Sequence, residues 1–241
     1  MKKLPTQYLE LEEVKIAYCE HGSGPTLLLL HGNSESKHLF SAHQQVHFDR
    51  FHTIAVDSRG HGETLSNDER YTIEQYSDDV IAFCKAKGIT QAFVVGYSDG
   101  GNIALFLAKK APERFPKIVA ISPNYLVSGT EEGSLRLFQR LAGIMRFLGK
   151  LGLPTRKVLM RFDLMLTDIG ITAQELGGIR TGLRFLYAEK DMIKEEHVLE
   201  MARLVPQATV RKIGRCNHMT ILNQEEALED MRAYFSGKEI V

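Results

Sequence analysis

The residues best suited to chemistry are gathered in one stretch, VVGYSDGGNIALFLAK, at positions 94–109. Ser98 stands between Gly96 and Gly100 in the spacing G-x-S-x-G, after an apolar run and before the renewed apolar pattern Ile103–Leu107. A serine hydroxyl is a weak nucleophile unless a base removes its proton and its line of attack is open. A tight strand-to-helix turn opens that line, provided that the residues two before and two after carry no side chain that would collide. The amides at the start of the following helix then face a developing oxyanion with partial positive charge. On this reading Ser98 is a nucleophile, and the backbone N–H of Asp99 is one donor of an oxyanion hole.

Such a serine needs a histidine, and the histidine needs an orienting acid. Of the nine histidines, His218 in GRCNHMTI lies just past the last expected strand, where a loop at the carboxyl edge of a sheet reaches back toward Ser98. Asp191 in FLYAEKDMI follows the seventh expected strand by a few residues and emerges at the same edge; Glu189, two residues earlier, is its rival. The stretch LLLLHGNSES ends a strand at His31-Gly32-Asn33, so the Asn33 N–H is the second expected oxyanion donor. His31 reads as a structural hydrogen bonder, and the loop Asp57-Ser58-Arg59-Gly60-His61-Gly62 as a structural network. His21, His43, His47 and His52 have surface or structural roles. Cys216 and His218 are two apart, but no second Cys/His pair completes a metal site.

These residues need a frame that brings them to one edge. Short β-rich runs are expected at Gln7–Leu11, Val14–Glu20, Thr26–Leu30, His52–Val56, Ala92–Val95, Lys117–Ile121, Leu183–Tyr187 and Ala208–Lys212. Helical patterns are expected at Thr72–Lys87, Asn102–Lys110, Glu195–Leu204 and Gln224–Phe235. This alternation implies one α/β domain: a mostly parallel eight-stranded sheet with helices on both faces and an antiparallel hairpin at one edge. The interval 123–181 breaks the rhythm. It holds no convincing strand, but two amphipathic stretches around Leu135–Leu148 and Val158–Leu166, and it is too long for an ordinary connection. It reads as a helical lid inserted into a core made of 1–122 and 182–241. Between Leu135 and Arg161 it carries seven basic residues and no acidic one, which suits a solvated face, an acidic substrate or an anionic surface. Its apolar residues Phe138, Met145, Phe162 and Met165 suit a greasy pocket or the lid's own packing.

The bulk composition excludes several classes. The 241 residues are 44% hydrophobic and 25% charged, and 30 basic residues balance 30 acidic ones, so no overall field favours nucleic acid. MKKLPTQYLELEE lacks the apolar stretch of a signal peptide, and Leu27–Leu30 is far too short to span a bilayer. Three scattered cysteines fit a reduced, cytoplasmic protein.

Taken together, His31-Gly32-Asn33, the loop 57–62, Gly96-Tyr97-Ser98-Asp99-Gly100-Gly101, Asp191 and His218 resemble the α/β-hydrolase fold family, in the chain order Ser, Asp, His. The resemblance is nearest to small bacterial serine hydrolases of the carboxylesterase kind and covers the chain outside the insertion. It implies Ser98 as nucleophile, His218 as base, Asp191 as orienting acid and the insertion as a cap over the pocket. Serine rather than aspartate at 98 separates the chain from the dehalogenase and epoxide-hydrolase branches. Ala188 and Asn217 stand where such enzymes usually carry glycine. The expected activity is hydrolysis of a small or medium carboxylic ester through an acyl-enzyme, with a small-molecule substrate and no cofactor. A thioesterase, lactonase or C–C bond hydrolase would use the same triad, and a ligand receptor on the same fold is the rival from another class.

Overall fold

The computed structural model describes residues 3–237; the N-terminal stretch considered above begins outside them, at Met1 and Lys2. Strands β1 (Gln7–Glu10) and β2 (Lys15–His21) form an antiparallel hairpin, and β2 pairs antiparallel with β4 (His52–Val56). From there β3 (Thr26–Leu30), β5 (Phe93–Tyr97), β6 (Lys117–Ile121), β7 (Gly182–Lys190) and β8 (Ala208–Asn217) continue in parallel. The order across the sheet is β1-β2-β4-β3-β5-β6-β7-β8.

The sheet is buried on both faces because its central strands are apolar at nearly every position rather than at alternate ones. Leu28, Leu30, Val94, Ile118, Ala120 and Phe185 point to one side. There they meet α1 (Ile73–Ala86), α2 (Asp99–Lys110) and α6 (Glu195–Leu204). Leu27, Leu29, Val95, Val119, Ile121 and Leu186 point to the other side and pack with Phe40, Phe48 and Phe51 and with α7 (Glu225–Ser236). Helix α1 starts where the Thr72 hydroxyl accepts the Gln75 N–H at 3.1 Å, and it buries Ile73, Tyr76, Val80 and Phe83 as its 3.6-residue pattern requires.

Between β6 and β7 the chain leaves the sheet to form α3 (Glu132–Lys150), α4 (Arg156–Met165) and the short α5 (Ala173–Gly177). Helix α5 was not among the expected elements. It is one turn long, but Thr172 and Glu175 close a capping box around its start. Helix α3 packs chiefly on α4 and buries only Ala142, leaving Leu137, Ile144 and Phe147 exposed. No helix among the described residues is long and apolar enough to cross a membrane.

Several boundaries differ from expectation, and β5 runs on to Tyr97. Helix α2 begins at Asp99, three residues early, because the Ser98 carbonyl already accepts the Asn102 N–H at 3.0 Å despite the weak helix propensity of Gly100 and Gly101. Strands β7 and β8 run on to Lys190 and Asn217, with a register shift between Ala188 and Lys190. Polar residues such as Glu189, Lys190 and Arg215 hide that extension from the hydrophobic pattern.

Candidate active site

Strand β5 ends at Tyr97 and α2 begins at Asp99, so Ser98 alone makes the turn, with φ 54° and ψ −117°. This left-handed backbone is strained for a residue with a Cβ. The approach around it is close: a Cβ on Gly96 would lie 2.1 Å from the Gly100 carbonyl oxygen, and one on Gly100 would lie 2.1 Å from the Leu30 carbonyl oxygen. The two glycines therefore provide clearance, and the Ser98 side chain is lifted out at the carboxyl edge of the sheet.

His218 follows β8 and comes back over this turn. Its Nε2 is 3.1 Å from Ser98 Oγ and its Nδ1 is 2.6 Å from Asp191 Oδ1. The Tyr97 hydroxyl donates to the His218 carbonyl at 2.9 Å, holding the histidine loop to the end of β5. Asp191, with its side chain buried, also accepts hydrogen bonds from Ser122 Oγ (2.5 Å), the Ala188 N–H (2.9 Å) and the Ile193 N–H (3.1 Å). Burial pushes the Asp191 carboxyl up, but the hydrogen bond and charge of His218, with the Ser122 and Ala188 donors, outweigh it and hold the group below its ordinary value. Glu189 lies elsewhere: it is exposed and accepts the Arg215 N–H at 2.7 Å. Of the two candidate acids, only Asp191 meets the histidine.

Asp99 heads α2, so its N–H has no carbonyl one turn back within the helix. Asn33 lies in a turn, Gly32–Glu35, where the Glu35 N–H donates to the Gly32 carbonyl at 3.3 Å and the Gly32 N–H donates to Glu35 Oε2 at 3.1 Å. A Cβ on Gly32 would sit 3.2 Å from Ser98 Cβ, so this turn borders the serine directly. Asn33 Nδ2 donates to Asp99 Oδ2 at 2.9 Å and to the Arg161 carbonyl of α4 at 2.9 Å. The two expected oxyanion donors thus belong to residues tied together beside Ser98.

A family model described as the alpha/beta hydrolase fold matches residues 25–168. The chain belongs to the α/β hydrolase fold family. Among its relatives is 2-(acetamidomethylene)succinate hydrolase of Mesorhizobium japonicum, 32% identical over 113 residues, which are 47% of this chain and 41% of that protein. Another is 3-oxoadipate enol-lactonase 2 of Acinetobacter baylyi, 29% identical over 143 residues, 58% of this chain and 52% of that one. The matches therefore span between two fifths and about half of those relatives. The crystal structure of carboxylesterase CesB from Bacillus subtilis superimposes with a TM-score of 0.80 at 20% identity, covering 99% of this chain and 93% of that one, and shows the shared fold.

Within this α/β-hydrolase frame, other residues settle as the sequence suggests. The His31 ring spends both nitrogens on backbone, with Nδ1 2.7 Å from the Gly32 carbonyl and Nε2 accepting the Ser58 N–H at 3.1 Å. In the loop 57–62, Asp57 pairs with Lys37 at 2.8 Å, and Arg59 forks onto Asp79 at 2.8 and 2.6 Å. Asn217 supports the turn ahead of His218 with its own side chain, whose Oδ1 accepts the Met219 N–H at 3.0 Å. Among the described residues no three His, Cys, Asp or Glu side chains are grouped to hold a metal ion. Glu35 and Ser122 were not singled out from sequence. Glu35 carried a signal in its closeness to His31-Gly32-Asn33; Ser122, at the end of β6, could have been found only from strand order. Burial pushes the Glu35 carboxyl up, against the opposing pull of the Gly32 N–H and of His218.

Proposed function

We propose that the protein is a serine hydrolase that cleaves a carboxylic ester by way of an acyl-enzyme on Ser98. The observation that carries this reading is the unbroken chain Ser98 Oγ, His218 Nε2, His218 Nδ1, Asp191 Oδ1, with steps of 3.1 and 2.6 Å, at a serine raised on a strained turn. Ser98 Oγ attacks the ester carbonyl as His218 Nε2 takes its proton. Asp191 fixes the imidazole so that Nδ1 keeps its hydrogen and Nε2 stays basic. The Asn33 and Asp99 N–H groups hold the oxyanion, and each such donor is worth about 3 kcal/mol of barrier. His218 then returns the proton to the departing alcohol, and water activated by the same histidine releases the acid. The insertion acts as the cap over the site, since its Arg161 carbonyl meets Asn33 beside Ser98.

A cyclic ester is the second reading, favoured by the enol-lactonase among the relatives. The steps are the same, but the alcohol stays attached to the acyl group after ring opening. A fluorophosphonate probe and a panel of p-nitrophenyl esters and lactones test both. The wild type is expected to label at Ser98, and Ser98→Ala to lose labelling and about 10⁴-fold or more in kcat. A wild type that neither labels nor turns over any ester or lactone would remove the proposal.

A further inference from the structure

The seam between α4 and the loop after β4 gathers polar atoms that the reaction above does not use. Eight buried side-chain polar atoms lack a hydrogen-bond partner among the described residues, and four of them share this place: His61 Nε2, Tyr71 Oη, Tyr76 Oη and Arg161 Nε. The rings are neighbours, with centroids 6.0 Å apart for His61 and Tyr76, 5.9 Å for Tyr71 and Tyr76, and 6.5 Å for His61 and Tyr71. Arg161 joins them through Gly60, whose carbonyl accepts its Nη2–H at 2.5 Å and whose Cβ position would lie 2.1 Å from Tyr71 Oη. Buried polar atoms are nearly always paired, so four orphans in one place point to a partner from outside the chain.

The chemistry of three of these atoms says what that partner is. His61 Nδ1 lies 3.2 Å from the Arg59 carbonyl, which only accepts, so Nδ1 carries the hydrogen and Nε2 is the single obligate acceptor. Burial pulls this ring down to about 3, with His31 and Arg161 adding to the effect, so it stays neutral. That Nε2 lone pair is matched by a donor, not by an anion, and is left out of the site; the other three atoms can donate, and one belongs to a guanidinium. Arg136, Arg146 and Arg156 of the insertion pair with Glu132, Asp163 and Glu69. Arg161 has a carbonyl instead and forms no ion pair among the described residues. A partly buried cation beside free hydroxyl donors is completed by an anion. Asn33 links this seam to the surroundings of Ser98, since its Nδ2 donates both to the Arg161 carbonyl and to Asp99, whose carboxyl also accepts from Asn102.

We propose that the seam is a carboxylate subsite, in which Arg161, Tyr71 and Tyr76 hold a carboxylate that the substrate carries away from its scissile bond. The substrate is then a half-ester of a dicarboxylic acid or an ester of a hydroxy acid. This rests on the reading of Ser98 as the nucleophile, and the experiment separates the two. Mono-p-nitrophenyl glutarate is compared with p-nitrophenyl valerate for a carboxylate on the acyl side, and 4-acetoxybutyrate with butyl acetate for one on the alcohol side. The wild type is expected to favour one carboxylated ester over its neutral match by about tenfold or more in kcat/KM, as a charge-assisted contact allows. Arg161→Gln should bring that ratio close to one, Arg161→Lys should retain part of it, and Tyr71→Phe and Tyr76→Phe should each lower it chiefly through KM. Glutarate binding to Ser98→Ala, followed by calorimetry, reads the subsite without turnover and should be lost on adding Arg161→Gln. Neutral esters cleaved with no preference for a carboxylate, or a preference that survives Arg161→Gln, would overturn the subsite while leaving the hydrolase reading intact. Glutarate bound by a protein that cleaves nothing would support the subsite and defeat the hydrolase reading instead. Neither binding nor preference would make the seam an internal structural cluster.

Discussion

Asp191 receives three hydrogen bonds besides its contact with His218, from Ser122, Ala188 and Ile193, so its carboxylate cannot swing away from the imidazole. If it orients the base, Asp191→Asn should cost about 10⁴-fold in kcat by favouring the wrong tautomer, whereas Glu189→Gln should cost less than about threefold. Steady-state kinetics on one ester decides between them, and a larger loss at Glu189 would reverse the assignment. The same carboxyl gives a pH signature. Its value is lower folded than unfolded, so its stabilisation is fully present above the ordinary value of 3.8 and fades as pH falls through the lower folded value. The Tm gap between wild type and Asp191→Asn should therefore be widest near neutrality and close in acid. At this scale the sequence was informative wherever a residue type is demanded by chemistry and flanked by an element edge, as at Ser98, Asp191 and His218. It was silent where a residue acts through position alone. Nothing in the types of Ser122 or Arg161 shows that one faces Asp191 and the other turns inward among tyrosines.

The loops after β3 and β4 are joined by a buried ion pair, Lys37 with Asp57, whose side chains are both 0% exposed. Asp57 also accepts the Lys37 N–H at 2.6 Å and the Glu63 N–H at 2.8 Å, so one carboxylate pins the loop that bears Asn33 to the loop that bears Gly60 and His61. Removing it strips the buried ammonium of its buried partner and leaves it only the half-exposed Glu63, 2.7 Å away. Asp57→Ala should lose about 3–5 kcal/mol in urea unfolding, and Lys37→Met combined with Asp57→Leu should recover most of it. A loss below about 1 kcal/mol would show that the pair does not hold these loops. The elements themselves were legible because β3, β5 and β6 are nearly continuous apolar runs and α1 is apolar on one stripe. Lys37 was not, because a lysine in a polar loop ordinarily reads as solvated.

Taken whole, the molecule divides its apolar surface unevenly. Apart from Tyr8 on the edge strand β1, the sheet and its covering helices hide their large side chains, whereas α3 leaves Leu137 at 52%, Ile144 at 43% and Phe147 at 61% exposure. Serine at any of these should change unfolding free energy by less than about 0.5 kcal/mol, while Leu164→Ala, buried in α4, should cost about 2–5 kcal/mol. A large loss from the exposed positions would mean that another surface covers α3 in solution. The amphipathic pattern announced this helix but not its partner, since a stripe of apolar residues looks the same whether a core or nothing lies against it.

Charge is divided as unevenly as apolar surface. The chain is neutral overall, yet the insertion 123–181 holds eight positive and five negative side chains, so the remainder carries a net charge of −3. A neutral molecule arranged in this way carries an excess of positive charge on the helical excursion that reaches Asn33. Such an asymmetry turns the protein as an anion approaches and presents the same end to each arrival. Because that torque is screened over about 8–10 Å in ordinary salt, the encounter rate with charged esters should fall as ionic strength rises, and that with neutral ones should not.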